Sequence, residues 1–207
     1  LHLPGGPNPL SFSVPAWRAD LVNDTEKKAI GLVELSSVAA GYLVADQMLK
    51  TADLRLLLNR TICSGKYMVL VAGDVANVRA GVEAGAQAAA TYVIDSCIIP
   101  NVDPALFPAL GGSVILQDHE ALGLIESFSV ASLIEAADTA VKTADVQLLE
   151  IRVAMALGGK AFARVCGPVS AVQAAVDAGA AVVEAKGLLV NKVVIPAPSP
   201  ELYGETL

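Results

Sequence analysis

Ile30-Gly31-Leu32-Val33-Glu34 is answered 92 residues later by Leu122-Gly123-Leu124-Ile125-Glu126, and this pair of stretches decides how the chain is organised. The same offset of 92 carries Ala45-Asp46 onto Ala137-Asp138, and Lys50-Thr51-Ala52-Asp53 onto Lys142-Thr143-Ala144-Asp145. Past a short loop the offset becomes 94, taking Gly65-Lys66 to Gly159-Lys160 and Glu83-Ala84-Gly85-Ala86 to Asp177-Ala178-Gly179-Ala180. It ends at 96, where Ile99-Pro100 meets Ile195-Pro196. Two insertions of two residues account for the drift. A chain that repeats itself at a fixed period has built one structural unit twice.

Each copy reads as strand, helix, strand, strand, helix, strand. In the first, residues 30–35, 54–59, 67–72 and 92–99 are apolar runs of strand length. Ser37 is placed to cap a helix whose inner stripe is expected to be Ala45, Met48, Leu49 and Ala52, repeated as Ala137, Ala140, Val141 and Ala144. Asp46 and Lys50 fall four residues apart on its outer face. Asp74 caps the second helix, with Val75, Val78, Val82, Gly85 or Ala86, and Ala89 inward. Val169, Val172, Val176, Gly179 and Val183 repeat that face behind Pro168, which a helix start tolerates. The order βαββαβ is the ferredoxin-like split βαβ arrangement, an α+β class with helices on one face of a four-stranded sheet. Residues 1–28, with four prolines and a charged end, read as an extended arm. Residues 29–117 form the first domain and its linker, and residues 118–207 the second domain.

Composition narrows the function. Of 207 residues 54% are hydrophobic and 17% charged, against about 25% charged in ordinary soluble domains. No stretch offers the roughly 18 unbroken apolar residues of a spanning helix, which argues against a membrane protein. A net charge of −7 leaves no cationic excess to neutralise phosphates, which argues against nucleic-acid binding. Three cysteines and no visible secretory signal point to a reducing cytoplasm. A surface with so few charges is expected to be covered by other subunits.

Catalytic constellations are missing from the pattern. The two histidines, His2 and His119, lie in the arm and the linker, so neither a metal-hydrolase motif nor a Ser-His-Asp set can be assembled, and an enzyme is not expected. Gly65-Lys66 and Gly158-Gly159-Lys160 are too short for a phosphate loop. Glu34 and Glu126 sit on equivalent strands and match by duplication, which favours structural roles over a paired-carboxylate site. Cys97 and Cys166 lie in apolar strands, as buried structural thiols do. Cys63 differs, because it stands in the loop Arg60-Thr61-Ile62-Cys63-Ser64-Gly65-Lys66, flanked by cations. Nearby cations favour the thiolate, the form that reacts or binds metal. The second copy has no cysteine there, and no CxxC spacing occurs, so one subunit alone cannot hold a cluster.

The run Ala29-Ile30-Gly31-Leu32-Val33-Glu34-Leu35-Ser36-Ser37-Val38-Ala39-Ala40-Gly41, followed by Ala45-Asp46-Gln47-Met48-Leu49-Lys50-Thr51-Ala52-Asp53, resembles the bacterial microcompartment shell domain. Two copies in one chain resemble the tandem-domain shell proteins, and the loop at Cys63 is most similar to the propanediol-utilisation-type trimer that carries an iron–sulfur cluster. The resemblance covers about residues 29–205.

It implies a structural protein of the microcompartment shell: a homotrimer that imitates a hexamer and tiles with other shell proteins. In such a trimer Cys63 of three subunits would converge on a central opening and hold a [4Fe–4S] cluster, for electron transfer across the shell and exchange with a redox enzyme. Ile62, Ser64 and Gly65, with Ala156, Leu157, Gly158 and Gly159, would line that opening. Arg60 and Lys66 would partly offset the cluster's charge, or else serve as rim or strand-end contacts. Lys50 and Lys142 match the family's edge lysine at the seam between oligomers. Asn101 and Ala197 follow Ile-Pro where the family often has arginine, a departure at one lateral contact. Two other readings remain: a shell trimer with an open or gated metabolite pore, and a ligand-binding regulatory oligomer.

Overall fold

The computed structural model describes residues 29–112, 114, 120–153 and 158–203. The arm 1–28 and the residues Ala156 and Leu157 lie outside them. The first domain runs β1 (Ala29–Leu35), α1 (Val38–Thr51), β2 (Arg55–Ile62), β3 (Lys66–Gly73), α2 (Val75–Ala88) and β4 (Val93–Pro100). A short helix α3 (Leu106–Gly111) follows. The second domain then runs β5 (Ala121–Ser127), α4 (Val130–Thr143), β6 (Gln147–Arg152), β7 (Ala161–Gly167), α5 (Val169–Ala185) and β8 (Leu189–Ile195). The sheets are ordered β2-β3-β1-β4 and β6-β7-β5-β8, every pairing antiparallel. This is the split βαβ order, twice over. Even the irregularities repeat: the register of β1 against β4 slips between Glu34 and Leu35, and that of β5 against β8 between Glu126 and Ser127. Bulges of this kind re-aim a side chain, and both fall beside the repeat's glutamate.

Local chemistry explains the helices. Ser37 and Ser129 accept from the backbone N–H of Ala40 and Ser132, and Asp74 from that of Asn77, each satisfying a donor that the helix start leaves open. Pro168 starts α5 without a side-chain cap, as a residue fixed in φ can. The inner stripe of α1 is Ala40, Gly41, Val44, Ala45 and Met48. Leu49, expected inside, is exposed, because it lies about 140° around the axis from Val44. Val169 is likewise exposed, at the first residue of α5.

Gly31 and Gly123 let each sheet take its helix closely. A Cβ on Gly31 would stand 2.5 Å from Val82 Cγ2 and 2.7 Å from Val78 Cγ1, and one on Gly123 at the same distances from Val176 Cγ2 and Val172 Cγ1. Valine rotamers in helices are stiff, so the clash cannot be absorbed at the side chain. Gly31→Ala is therefore expected to cost about 1–3 kcal/mol, read as a lower urea midpoint at unchanged slope.

The segment between the copies is more than a linker. Leu106, Phe107, Ala109 and Leu110 of α3 are buried in one core with Ile30, Leu32, Met68, Cys97 and Ile99 of the first sheet and Val130, Leu133 and Ile134 of α4. Asp138 Oδ1 accepts from Asp103 N–H at 2.8 Å and fixes the segment's entry, and Gly112, left-handed at φ 63°, ends it. The first sheet thus has α1 and α2 on one face and the second domain's α4 on the other.

Candidate functional site

The two β-hairpins that carry the Gly-Lys motif place their turns side by side. In the first domain β2 ends at Ile62, a tight 3₁₀ turn spans Cys63–Gly65, and β3 starts at Lys66. Ser64 and Gly65 take left-handed φ values of 66° and 73° to close it. In the second domain Gly158 and Gly159 do the same at φ 61° and 86°. A Cβ on Gly159 would lie 3.3 Å from Ser64 Oγ and 3.7 Å from Lys66 Cε, so the turns touch across the domain boundary. Among the described residues, a Cβ on Gly65 or on Gly158 would meet nothing within 4 Å.

Within the turn, Cys63 is half-buried and in no disulfide, while Ser64 and Gly65 are exposed. Ile62, assigned to the opening by resemblance, has its side chain in the interdomain core. The other two thiols are buried, as expected. Burial foremost, and then the charge of Glu135, pushes the Cys97 thiol far up, so it stays protonated. Among the described residues no group of three His, Cys, Asp or Glu side chains is close enough to hold a metal ion.

Beneath the turns lies a polar network that the sequence reading did not anticipate. Lys66 Nζ is 2.9 Å from Glu34 Oε1 and donates to the Phe128 carbonyl at 3.2 Å. The other carboxylate oxygen, Oε2, accepts from Val130 N–H at 2.8 Å and Ala131 N–H at 3.5 Å, with Ser129 Oγ 3.1 Å away. Glu34 of the first domain thus caps the helix that opens the second, where free N–H groups and the helix dipole favour an anion. Asp95 on β4 adds a second carboxylate, whose Oδ2 accepts from Ser132 and lies 2.5 Å from Ser129 Oγ. Lys186 bridges Glu135 at 2.9 Å and Asp95 at 3.7 Å. Of the two roles considered for Lys66, strand-end contact describes it: its charge is matched by a fully buried glutamate.

The second copy repeats the pair in the open, with Lys160 Nζ 2.7 Å from Glu126 Oε1. The edge lysines take the i,i+4 partners legible in the sequence. Lys50 pairs with Asp46 at 2.6 Å, well exposed, and Lys142 with the buried Asp138 at 2.5 Å.

Comparison with known proteins agrees with this architecture. The BMC domain family matches residues 29–102 and again 121–198. The bacterial microcompartment shell protein PduT of Citrobacter freundii is 39% identical over 176 residues, which is 85% of this chain and 96% of that protein. The carboxysome assembly protein CcmO of Synechocystis sp. is 31% identical, over 88% of this chain and 65% of that one. A crystal structure of a microcompartments protein from Desulfitobacterium hafniense DCB superposes with a TM-score of 0.76 at 49% identity, over 84% of this chain and 97% of that one. With one domain matched in each half and a relative matched nearly end to end, the chain belongs to the BMC-domain family of microcompartment shell proteins and carries two of its domains in tandem.

Proposed function

We propose that three copies of this chain close into a ring of six like domains, forming one tile of a microcompartment shell, with a [4Fe–4S] cluster held at the centre by three Cys63 thiolates. The chain is a structural shell protein of the tandem-domain kind and not an enzyme, as its relatives' names have it. The ring and the cluster are the further step. One observation carries them: the Gly158-Gly159 turn lies against the Ser64-Gly65 turn. Two like domains set side by side, with corresponding turns adjacent, make one third of a six-domain ring. Contacts of this head-to-tail kind close into rings when their rotation divides a full turn.

Such a ring brings Cys63 to its axis once per chain. The donor type fits, since thiolates hold iron–sulfur clusters, but one chain supplies a single thiolate. Three copies supply three, leaving the fourth iron to water or an external ligand. When bound, the cluster supplies one-electron transfer between a donor on one side of the shell and an acceptor, such as a redox enzyme, on the other. The turn's own part is positional: left-handed Ser64 and Gly65 fold the chain back so that Cys63 stands at the tip of the hairpin.

Sedimentation tests the ring, with an expected mass of three 21.2 kDa chains. Anaerobic iron and sulfide analysis of wild type beside Cys63→Ser tests the cluster. Lys50 is proposed to make the lateral contact between tiles, so Lys50→Glu is expected to keep the trimer mass and remove extended sheets seen by electron microscopy. A monomer would overturn the ring. An iron-free trimer would leave a tile whose opening, beside the unencumbered Gly65 and Gly158, passes metabolites.

A further inference from the structure

Among the described residues, the surfaces that meet inside the chain recur, more exposed, on the first helix and the last strand. Val130 and Ile134 of α4 are fully buried by the first domain, yet their counterparts on α1, Val38 and Tyr42, are 38% and 64% exposed. On the receiving side Cys97 of β4 is 6% exposed and its counterpart Val193 of β8 is 42% exposed. Glu126, counterpart of the buried Glu34, has Lys160 beside it and a third of its side chain open.

We propose that Glu126 accepts the N-terminus of α1 from a second copy of this chain, taking the N–H groups of Val38 and Ala39 and the hydroxyl of Ser37, with Lys160 as its counter-ion. The occupant is named by the chain's own internal contact, in which Glu34 does this to Ser129, Val130 and Ala131. The proposal rests on the ring reading and deepens it, since it says which groups hold one copy to the next.

The residues that differ between the two seams differ together. Inside the chain Asp95 Oδ2 needs donors and has two hydroxyls, Ser129 and Ser132. At the open seam its counterpart is Asn191 and the counterpart of Ser132 is Ala40. Asn191 Oδ1 accepts from the following N–H, of Lys192, at 2.9 Å, just as Asp95 Oδ1 accepts from that of Ser96 at 2.8 Å. That bond fixes the amide, so its Nδ2 stands where Asp95 has an acceptor. An amide N–H there can donate to Ser37 Oγ, which leaves the single Ser37 proton for Glu126. A carboxylate at position 191 would instead compete for that proton, and Ala40 has none to add. The open seam is thus a matched variant of the internal one.

The test uses the full chain, with dilution sedimentation and backbone amide exchange. Wild type is expected to be a trimer whose Val38 and Ala39 amides exchange slowly, at rates like those expected for Val130 and Ala131, which Glu34 accepts from. Glu126→Gln is expected to weaken association about tenfold or more, because a bond to a charged acceptor is lost at each seam, and to speed exchange at Val38 and Ala39. Asn191→Asp, at an exposed position that leaves the fold intact, is expected to weaken it likewise, and adding Ala40→Ser to restore it. A wild-type monomer would overturn both the ring and this seam. A trimer indifferent to Glu126→Gln and Asn191→Asp would overturn the seam alone.

Discussion

Cys63→Ser is expected to take the anaerobically purified protein from about four irons and four sulfides per trimer to none, with loss of the visible absorbance and of the EPR signal after dithionite. The effect is all or none because of stoichiometry. One thiolate per chain means that a single substitution would remove every protein ligand of the proposed cluster at once, and a serine hydroxyl is a poor substitute for a soft thiolate. Assembly is expected to survive, since Cys63 is half-buried at a hairpin tip while the interdomain core is built from other side chains. Cys97→Ala is the internal control. That thiol lies deep in the interdomain core and is held protonated by burial, so it is expected to keep the iron while lowering stability. Lys66 would bear on the potential of the proposed cluster. Its ammonium is matched by Glu34 2.9 Å away, so it contributes less positive field at the turn than a free lysine would. Iron retained in Cys63→Ser, or absent from wild type even after reconstitution, would sink the cluster.

Much of this was legible because duplication lets one copy check the other. The offsets fix both domains, and strand order follows from apolar runs of strand length separated by helical periods. The caps at Ser37 and Asp74 and the Lys50 and Lys142 partners follow from spacing alone, since these contacts lie within a turn or two of one helix. What escaped depends on residues far apart in sequence. The burial of α3 was hidden behind Pro104 and Pro108, which make residues 100–117 read as a connector. The outward turn of Leu49 depends on which arc of the helix faces the sheet, since Leu49 lies about 40° from the buried Ala45 but about 140° from Val44. The contact between the turns at Ser64 and Gly159 needs two domains in register. The Glu34 network had a signal that went unread: a glutamate late in the first strand and a Gly-Lys opening the third recur together in both copies. Antiparallel pairing of those strands sets glutamate and lysine near each other twice.

Glu34→Ala is expected to cost about 3–5 kcal/mol, the range for removing one partner of a buried ion pair. The reasoning starts from what the alanine leaves behind. Lys66 keeps a charge in a site only partly open to water, with the Phe128 carbonyl as its remaining acceptor. The N–H groups of Val130 and Ala131 lose their acceptor at a fully buried helix start. Ser129 turns wholly to Asp95. Domains of this size are stable by about 5–15 kcal/mol, so the loss is a large share of the total. Because the network joins β1 to α4, the damage falls on the domain boundary. Urea unfolding of the variant is expected to split into two transitions, with a lower first midpoint, against a single transition expected for wild type. Glu34→Leu combined with Lys66→Met removes both charges and is expected to recover a good part of the loss, since the penalty lies in the orphaned partner more than in the missing pair. Glu126→Ala, at the solvent-exposed copy of the same pair, is expected to change the unfolding of the dilute single chain by under about 1 kcal/mol. Equal costs at Glu34 and Glu126 would mean that the internal seam is not where Glu34 acts.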